Sequence, residues 1–277
     1  MQPPPEVFDL FAVPGHAIAL QGGRGTSVLA GDLVLSPGRD ADTASWLSPV
    51  LARLAAQLDH EQTRSLRLAM PIPTRDLRWV VDGWGATRFE PGTRACQDLD
   101  VLVATGRLLH AHLKAALIVP PSGLRTRHDR WSRAERVAFG ADPVSEAPGV
   151  SATSSRRNAA EVQELVSDLC AERDAAGSGP SDLGPDQLVH RDLAGNVLLD
   201  SSGLPLVIDL APSWRPALWA EAVCVLDAVL WLQADPQVMH EWAEGPRRQA
   251  MLRAGIFRVL SDRPCDVAAY RRVLAPA

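Results

Sequence analysis

Three oxygen-bearing side chains border two short apolar runs of this chain. Asp192 and Asn196 precede the run Val197–Leu199. Asp209 follows the run Leu206–Ile208. Such residues suit metal-assisted phosphoryl transfer, in which one carboxylate receives a hydroxyl proton and other oxygen atoms hold magnesium. We therefore predict that Asp192 is the catalytic base and that Asn196 and Asp209 bind the metal ion.

The two apolar runs predict a β-hairpin that positions these side chains. Both runs are rich in β-prone residues, and the segment between them, Asp200–Pro205, contains Ser, Gly and Pro with turn chemistry. A hairpin holds one carboxylate in the loop before its first strand and another at the end of its second strand, so we expect both to face one cleft. His190, two residues before Asp192, is predicted to belong to the catalytic loop as a brace and not as a ligand.

At these residues the sequence resembles the kinase-like phosphotransferases, the superfamily of aminoglycoside phosphotransferases, choline kinases and eukaryotic-type protein kinases. The matching residues are His190-Arg-Asp192, Asn196 and Ile208-Asp209, the last in the place of a metal-binding Asp. The runs VIDLAPSWRP and AEAVCVLDAVLW look more narrowly like a family of uncharacterised actinobacterial proteins of about this length.

The resemblance implies an α+β, two-lobed protein kinase-like fold. A small β-rich nucleotide-binding lobe with the hinge would cover residues 1–92, and a larger α-helical lobe with the catalytic loop would cover residues 93–277. ATP and Mg would be the cofactors.

Only six residues, Leu210–Arg215, separate Asp209 from Pro216, which is predicted to open the next helix. No long activation segment fits there, which argues against a phosphorylation-switched protein kinase.

A glycine segment near the N-terminus is predicted to contact the phosphates. Its residues are Gly22, Gly23, Arg24 and Gly25. Glycines let backbone N–H groups approach a phosphate closely because no Cβ intervenes. The segment is not a Walker loop, since no Gly-Lys-Ser/Thr follows. A plain hairpin turn is the alternative, and the position upstream of the catalytic stretch favours phosphate binding.

The resemblance also implies a strand lysine that contacts the nucleotide phosphates, paired with a glutamate on the next helix. Ser36, on the predicted strand Leu33–Ser36, stands where this lysine would fall, and the helix predicted within Thr43–Leu58 has no Glu. The absence of both the lysine and the glutamate is self-consistent, because a glutamate without the lysine would repel the phosphates. Either Arg24 or Arg39 supplies the positive charge, or nucleotide binding is weak or absent.

The rest of the small sheet is predicted from apolar runs and turn residues. Leu66–Met70 and Trp79–Asp82 are expected to complete the sheet. The segment Gly83–Gly92 is predicted as the hinge, whose backbone edge would pair with adenine. Trp84 and Phe89 either stack near the adenine or simply cover the sheet.

Helical periodicity dominates beyond the hinge. Gln97–Leu117 is predicted as an amphipathic helix and Ala217–Leu232 as a buried central helix. Asp227, inside the second helix, needs a partner, and the resemblance implies that it anchors the catalytic-loop backbone. The arginine-rich stretch Arg125–Arg136 either lines a site for an anionic acceptor or forms a salt-bridged helix start.

Composition limits the classes of partner. The 277 residues are 46% apolar and 22% charged, an ordinary globular composition, and no apolar stretch approaches the ~20 residues of a transmembrane helix. A net charge of −5 without blocks of like charge predicts no nucleic-acid or membrane partner. The start lacks the features of a signal peptide, so a cytoplasmic location is expected. Lys114 is the single lysine among 28 basic residues.

The favoured prediction is an ATP- and Mg-dependent phosphotransferase acting on a hydroxyl group of a small molecule. Ser or Thr of a partner peptide is the related alternative acceptor. A pseudokinase-like nucleotide-binding or regulatory module is the rival from another class, motivated by Ser36. A kinase-like scaffold repurposed in a biosynthetic pathway is a third hypothesis. The sequence leaves the acceptor and the oligomeric state open.

Overall fold

The computed structural model describes residues 1–20, 25–144, 156–175, 180–262 and 264–275. Its helices are α1 (Pro5–Leu10), α2 (Ala41–His60), α3 (Leu99–Ala116), α4 (Ser122–Arg125), α5 (Arg130–Ala138), α6 (Arg156–Ala175), α7 (Ala217–Trp231), α8 (Gly245–Ser261) and α9 (Val267–Leu274). Its strands are β1 (Ile18–Ala19), β2 (Val28–Ala30), β3 (Leu33–Ser36), β4 (Arg67–Leu68), β5 (Pro71–Ile72), β6 (Gly85–Arg88), β7 (Arg94–Ala95), β8 (Asp186–His190), β9 (Val197–Leu199), β10 (Pro205–Val207) and β11 (Pro212–Pro216). Within the described ranges, 3-10 helices lie at Pro180–Leu183 and Pro236–Trp242.

The described strands form three sheets. One has the order β1-β2-β3-β6-β5 with antiparallel neighbours. Another has the order β4-β10-β9-β7, in which β4 and β10 run parallel. The third pairs β8 with β11. The predicted hairpin is confirmed, because β9 and β10 are antiparallel with Val197 opposite Val207.

Two predictions about the small sheet are wrong. Trp79–Asp82 is not a strand, because the backbone turns tightly at Asp82 and Gly83, which have φ angles of 49° and 76°. The strand next to β3 is instead β6, inside the segment predicted as the hinge. The predicted strand at Leu66–Met70 exists as β4 but pairs with β10 of the other sheet. Trp84 is buried in the apolar core beside β2 and β3, so it covers the sheet.

The chain divides into two compact units. Unit 1 comprises Met1–Cys96, Ala111–Leu124 and Gly195–Leu210. Unit 2 comprises Gln97–His110, Arg125–Ala194 and Ala211–Ala277. Unit 1 contains the two larger sheets and α2, whereas unit 2 is mainly helical around β8 and β11. These proportions confirm the α+β class. The functional boundary near residue 92 stays a prediction.

Helix α7 is the centre of the core of unit 2. It begins directly after Pro216, which is the N-cap residue of the helix and the last residue of β11. Trp219 is fully buried on this helix and makes edge contacts with Phe139 and Phe257 at ring-centroid distances of 5.5 and 5.3 Å. Burying an aromatic side chain stabilises a fold by roughly 1.5–3 kcal/mol. The prediction of a buried central helix is confirmed.

The four cysteines, all within the described ranges, form no disulfide bond. No helix in the described part of the chain is both long enough and apolar enough to cross a bilayer.

Candidate functional site

Asp192 lies in unit 2, in the loop that follows β8. Its side chain is 44% exposed, and its carboxylate accepts a hydrogen bond of 2.6 Å from Arg258 of α8. Burial opposes ionisation of Asp192, but the charge and hydrogen bond of Arg258, together with His190 and Arg191, outweigh burial, so the pKa of this carboxyl lies below its ordinary value. The predicted base is therefore an accessible carboxylate that is held in its charged form.

Arg258 also connects this loop to the central helix. The side chain of Asp227 is completely buried in α7 and accepts two hydrogen bonds from Arg258, one of them at 2.8 Å. Arg258 donates further to the backbone carbonyl of Arg191 at 3.3 Å. The predicted anchoring by Asp227 thus runs through an arginine that sequence reasoning missed. Burial alone would lower the pKa of Arg258, and the two carboxylates raise it instead.

His190 is fully buried at the end of β8. Its Nδ1 accepts hydrogen bonds from the backbone N–H groups of Asp192 at 3.1 Å and Ala211 at 3.4 Å. Its own backbone N–H donates to Nε2 of His110 at 3.1 Å. Burial and the neighbouring His190 lower the pKa of His110 to about 3, which keeps His110 a neutral acceptor. These contacts give His190 the geometry of a brace for the loop.

Asn196 and Asp209 lie at one end of the β9–β10 hairpin in unit 1. The backbone N–H of Ile208 donates to the carbonyl of Asn196 at 2.9 Å and extends the ladder by one pair beyond Val197 and Val207. Asp209 comes next, with a φ of 47° and a side chain that is 51% exposed. A non-glycine residue in this sparsely populated region is a recurrent feature of functional sites.

The donor set at this hairpin end fits a hard divalent cation. Mg²⁺ prefers oxygen ligands and needs only one or two carboxylates when phosphates and water complete its coordination. Asp209 offers an accessible carboxylate, and Asn196 is paired in the ladder with Ile208, the residue before Asp209. No cluster of three or more His, Cys, Asp or Glu side chains occurs among the described residues. One carboxylate and one amide oxygen suit a metal that binds together with phosphate ligands.

Arg39 forms an ion pair with Asp209 inside unit 1. It lies in the turn between β3 and α2, and its side chain is 34% exposed. The two residues are 170 positions apart in the chain. Arg39 was one of two candidates for the missing positive charge. The other, Arg24, lies outside the described residues together with Gly22 and Gly23.

The remaining nucleotide-site predictions fall on two described residues. Gly25 is exposed, with a φ of +63° that an L side chain rarely adopts. Ser36 is the last residue of β3, as predicted, and its hydroxyl is hydrogen bonded to that of Ser27 at 3.0 Å. Serine carries no charge, and the hydroxyl of Ser36 already bonds to Ser27. Ser36 therefore does not take the role of the strand lysine.

The arginine-rich stretch forms a salt-bridged helix start. Arg127 donates to Asp129 and to the carbonyl of Pro212, both at 3.0 Å, and Arg136 donates to Asp142 at 2.6 Å. Asp129 caps α5 by accepting from the backbone N–H of Ser132. These pairs favour the structural alternative over an anion site.

Glu135 of α5 ties this helix to the strand β11. Its carboxylate accepts hydrogen bonds from Ser213 and, at 2.7 Å, from Arg215, and it lies 3.7 Å from Arg191. The segment after Asp209 therefore leads directly into β11, which pairs with β8 and is hydrogen bonded to Glu135 of α5. This geometry confirms that no long activation segment follows Asp209.

Comparison with known proteins shows the fold. No protein-family model matches the sequence, and no curated protein matches it. The structure is similar to a choline kinase from Streptococcus pneumoniae, with a TM-score of 0.50, 13% identity and coverage of 97% of this chain and 95% of that chain. It is also similar to the AMP-bound complex of a spectinomycin phosphotransferase, with a TM-score of 0.50, 15% identity and coverage of 92% and 84%. The chain thus has the kinase-like phosphotransferase fold.

Proposed function

We propose that the protein transfers the terminal phosphoryl group of ATP to a hydroxyl group of a small molecule. The observation that carries this proposal is the carboxylate of Asp192, which is accessible and is kept ionised by Arg258 at 2.6 Å. Two similar structures are named as a choline kinase and a spectinomycin phosphotransferase, and the second is an AMP complex. These names support a small-molecule acceptor and an adenine nucleotide.

The step balances without a further reagent. The acceptor oxygen forms a bond to the γ-phosphorus, the bond from that phosphorus to the β–γ bridging oxygen breaks, and ADP leaves. The hydroxyl proton passes to Asp192. The low pKa of Asp192 makes it a weak base, which suffices because a loose phosphoryl transition state depends mainly on positioning and charge stabilisation. His190 and Arg258 hold the loop that orients this carboxylate.

Asp209 and Asn196 would hold the magnesium ion. When bound, the ion neutralises charge on the phosphate oxygens as a Lewis acid. The half-exposed carboxylate of Asp209 at the hairpin end supports this assignment. His190, which is fully buried, is proposed as a positioning residue of the loop.

A nucleotide-binding or regulatory module without turnover is the second candidate. Ser36 is hydrogen bonded to Ser27 where the resemblance implies a lysine, and Asp209 is paired with Arg39. Both observations would suit a protein that signals its nucleotide state to a partner.

Measurement of ADP release separates these candidates. The full chain is incubated with ATP, magnesium and a panel of hydroxyl compounds that includes choline, ethanolamine and spectinomycin. We expect acceptor-dependent ADP release, and a loss of roughly 10²- to 10⁴-fold in Asp192→Asn with nucleotide binding retained. Asp9→Asn, an exposed carboxylate paired with Arg75 at 3.4 Å, is the matched control. Equal turnover in wild type and Asp192→Asn would refute the proposed role of Asp192.

A further inference from the structure

Two contacts and one gap within unit 1 define the position of Arg39. Its backbone N–H donates to the carbonyl of Gly83 at 2.8 Å. Its side-chain stem passes over β6, where a Cβ built on Gly85 would lie 3.2 Å from its Cγ. Its guanidinium binds the carboxylate of Asp209. A backbone anchor, a gap for the stem and a carboxylate for the head together orient this side chain.

The same contacts place Arg39 near Ser36, the residue that stands where the resemblance implies a lysine. Gly85 lies directly opposite Ser36 in the β3–β6 ladder, so the stem of Arg39 crosses the strand pair at the level of Ser36. Ser36 itself is short and is hydrogen bonded to Ser27. A cation is therefore present near this end of β3, although the strand residue does not provide it.

The Arg39–Asp209 pair has little value for folding. Both side chains are partly exposed, at 34% and 51%, and ion pairs of this kind contribute little to stability because water and salt screen them. A guanidinium has five donors in a planar fork, which allows it to bind a carboxylate and phosphate oxygens in two-point contacts. The pair thus leaves donors available for an anionic ligand.

We propose that Arg39 is the residue that binds the phosphates of the nucleotide, in place of a strand lysine. This inference rests on the proposed function. Without nucleotide, Arg39 neutralises Asp209. With nucleotide and metal bound, the guanidinium of Arg39 would contact the phosphates and Asp209 would hold the metal ion. Gly85 is the positioning residue that leaves room for the stem.

Isothermal titration of the full chain with ATP, in EDTA and in magnesium, tests this inference without any acceptor. We expect Arg39→Gln to weaken ATP binding roughly 10- to 100-fold in both buffers, because charged hydrogen bonds to the phosphates are lost. Arg75→Gln removes another exposed ion pair of unit 1, with Asp9, and should bind like wild type. Unfolding temperatures check that both variants are folded.

Two further variants make the assignment specific. Gly85→Ala should weaken ATP binding in the wild-type background and should have no added effect in Arg39→Gln, because its Cβ acts by displacing the arginine. Adding Ser36→Lys to Arg39→Gln should restore part of the affinity, since position 36 lies opposite Gly85.

Two outcomes distinguish the role of Arg39 from the proposed function. If wild type binds ATP and Arg39→Gln binds it equally well or more tightly, Arg39 does not bind the phosphates and this inference is wrong, while the proposed function stands. If wild type binds no nucleotide, both fail together.

Discussion

Arg258 holds the carboxylate of Asp192 at 2.6 Å and the buried carboxylate of Asp227 with the same guanidinium. One side chain of α8 thereby joins the catalytic loop to the central helix. This arrangement fixes the direction of the Asp192 side chain and favours its charged form.

Removing the cation should move the pH dependence of turnover. Replacing Arg258 alone would leave Asp227 buried and unpaired, which costs about 3–5 kcal/mol, so we choose the double variant Arg258→Met, Asp227→Leu. Asp192 would then keep its burial and lose its partner, so its pKa should rise. Because the base must be deprotonated, the acid limb of kcat/KM should shift to higher pH.

The control for this variant is Arg248→Met on the same helix. Arg248 is also buried, and it donates to Glu172 at 2.7 Å and to the backbone carbonyl of Leu274 at 3.2 Å. It should lose stability without a change in the pH profile. An acid limb at the same pH in all three proteins would show that Arg258 does not set the ionisation of Asp192.

A close approach of α3 to the catalytic loop gives the second prediction. A Cβ on Gly106 would lie 2.8 Å from a methyl group of Leu193, which is buried next to Asp192. Gly106→Ala should therefore displace the loop and lower kcat roughly 10- to 100-fold, since small misplacements of catalytic groups are costly. ATP affinity, measured by titration, should stay within error of wild type.

Gly255→Ala is the matched control for Gly106→Ala. Gly255 is also a helical glycine, and its Cβ would lie 2.7 Å from a methyl group of Leu274 in α9. Both changes should gain about 1 kcal/mol of stability from helix propensity. Both should also lose about 1–3 kcal/mol of stability because the added methyl group overpacks the core. If Gly255→Ala lowers kcat as much as Gly106→Ala does, the effect is one of general stability and not of the loop.

His110 makes the stability of the fold depend on pH. Its pKa falls from 6.5 in the unfolded chain to about 3 in the fold. The unfolded chain therefore binds the proton first, and the stabilisation present above pH 6.5 is lost as the pH falls from 6.5 toward 3. At pH 5 this one group should reduce the free energy of unfolding by about 2 kcal/mol.

Urea unfolding at pH 7.5 and pH 5 measures this loss. His110→Gln cannot take up a proton in the unfolded state and should lose less stability between the two pH values than wild type. His112→Gln, a partly exposed neighbour on the same helix, is the control. An identical loss in wild type and His110→Gln would contradict the assignment.

Local sequence patterns predicted much of the catalytic segment. The hairpin strands, the place of Asp209 after the second strand and the buried helix after Pro216 all follow from short-range patterns of apolar and turn residues. The short link after Asp209 was likewise visible as a count of residues. Such features depend only on residues that are close together in the sequence.

Contacts between distant segments were not predictable in the same way. Arg258 lies 66 residues from Asp192, and Arg39 lies 170 residues from Asp209, so no local spacing signals either pair. The edge of the small sheet was misplaced because the positive φ of Asp82 turned a β-prone run into a bend. An arginine within a long amphipathic helix gives no sign that it faces inward.

The role of Asp209 in magnesium-dependent nucleotide binding can be measured without knowledge of the acceptor. The measurement is isothermal titration of wild type and Asp209→Asn with ATP, in EDTA and in magnesium. We expect magnesium to strengthen ATP binding to wild type and Asp209→Asn to lose this dependence. No detectable binding at millimolar ATP, or the same magnesium dependence in both proteins, would contradict it.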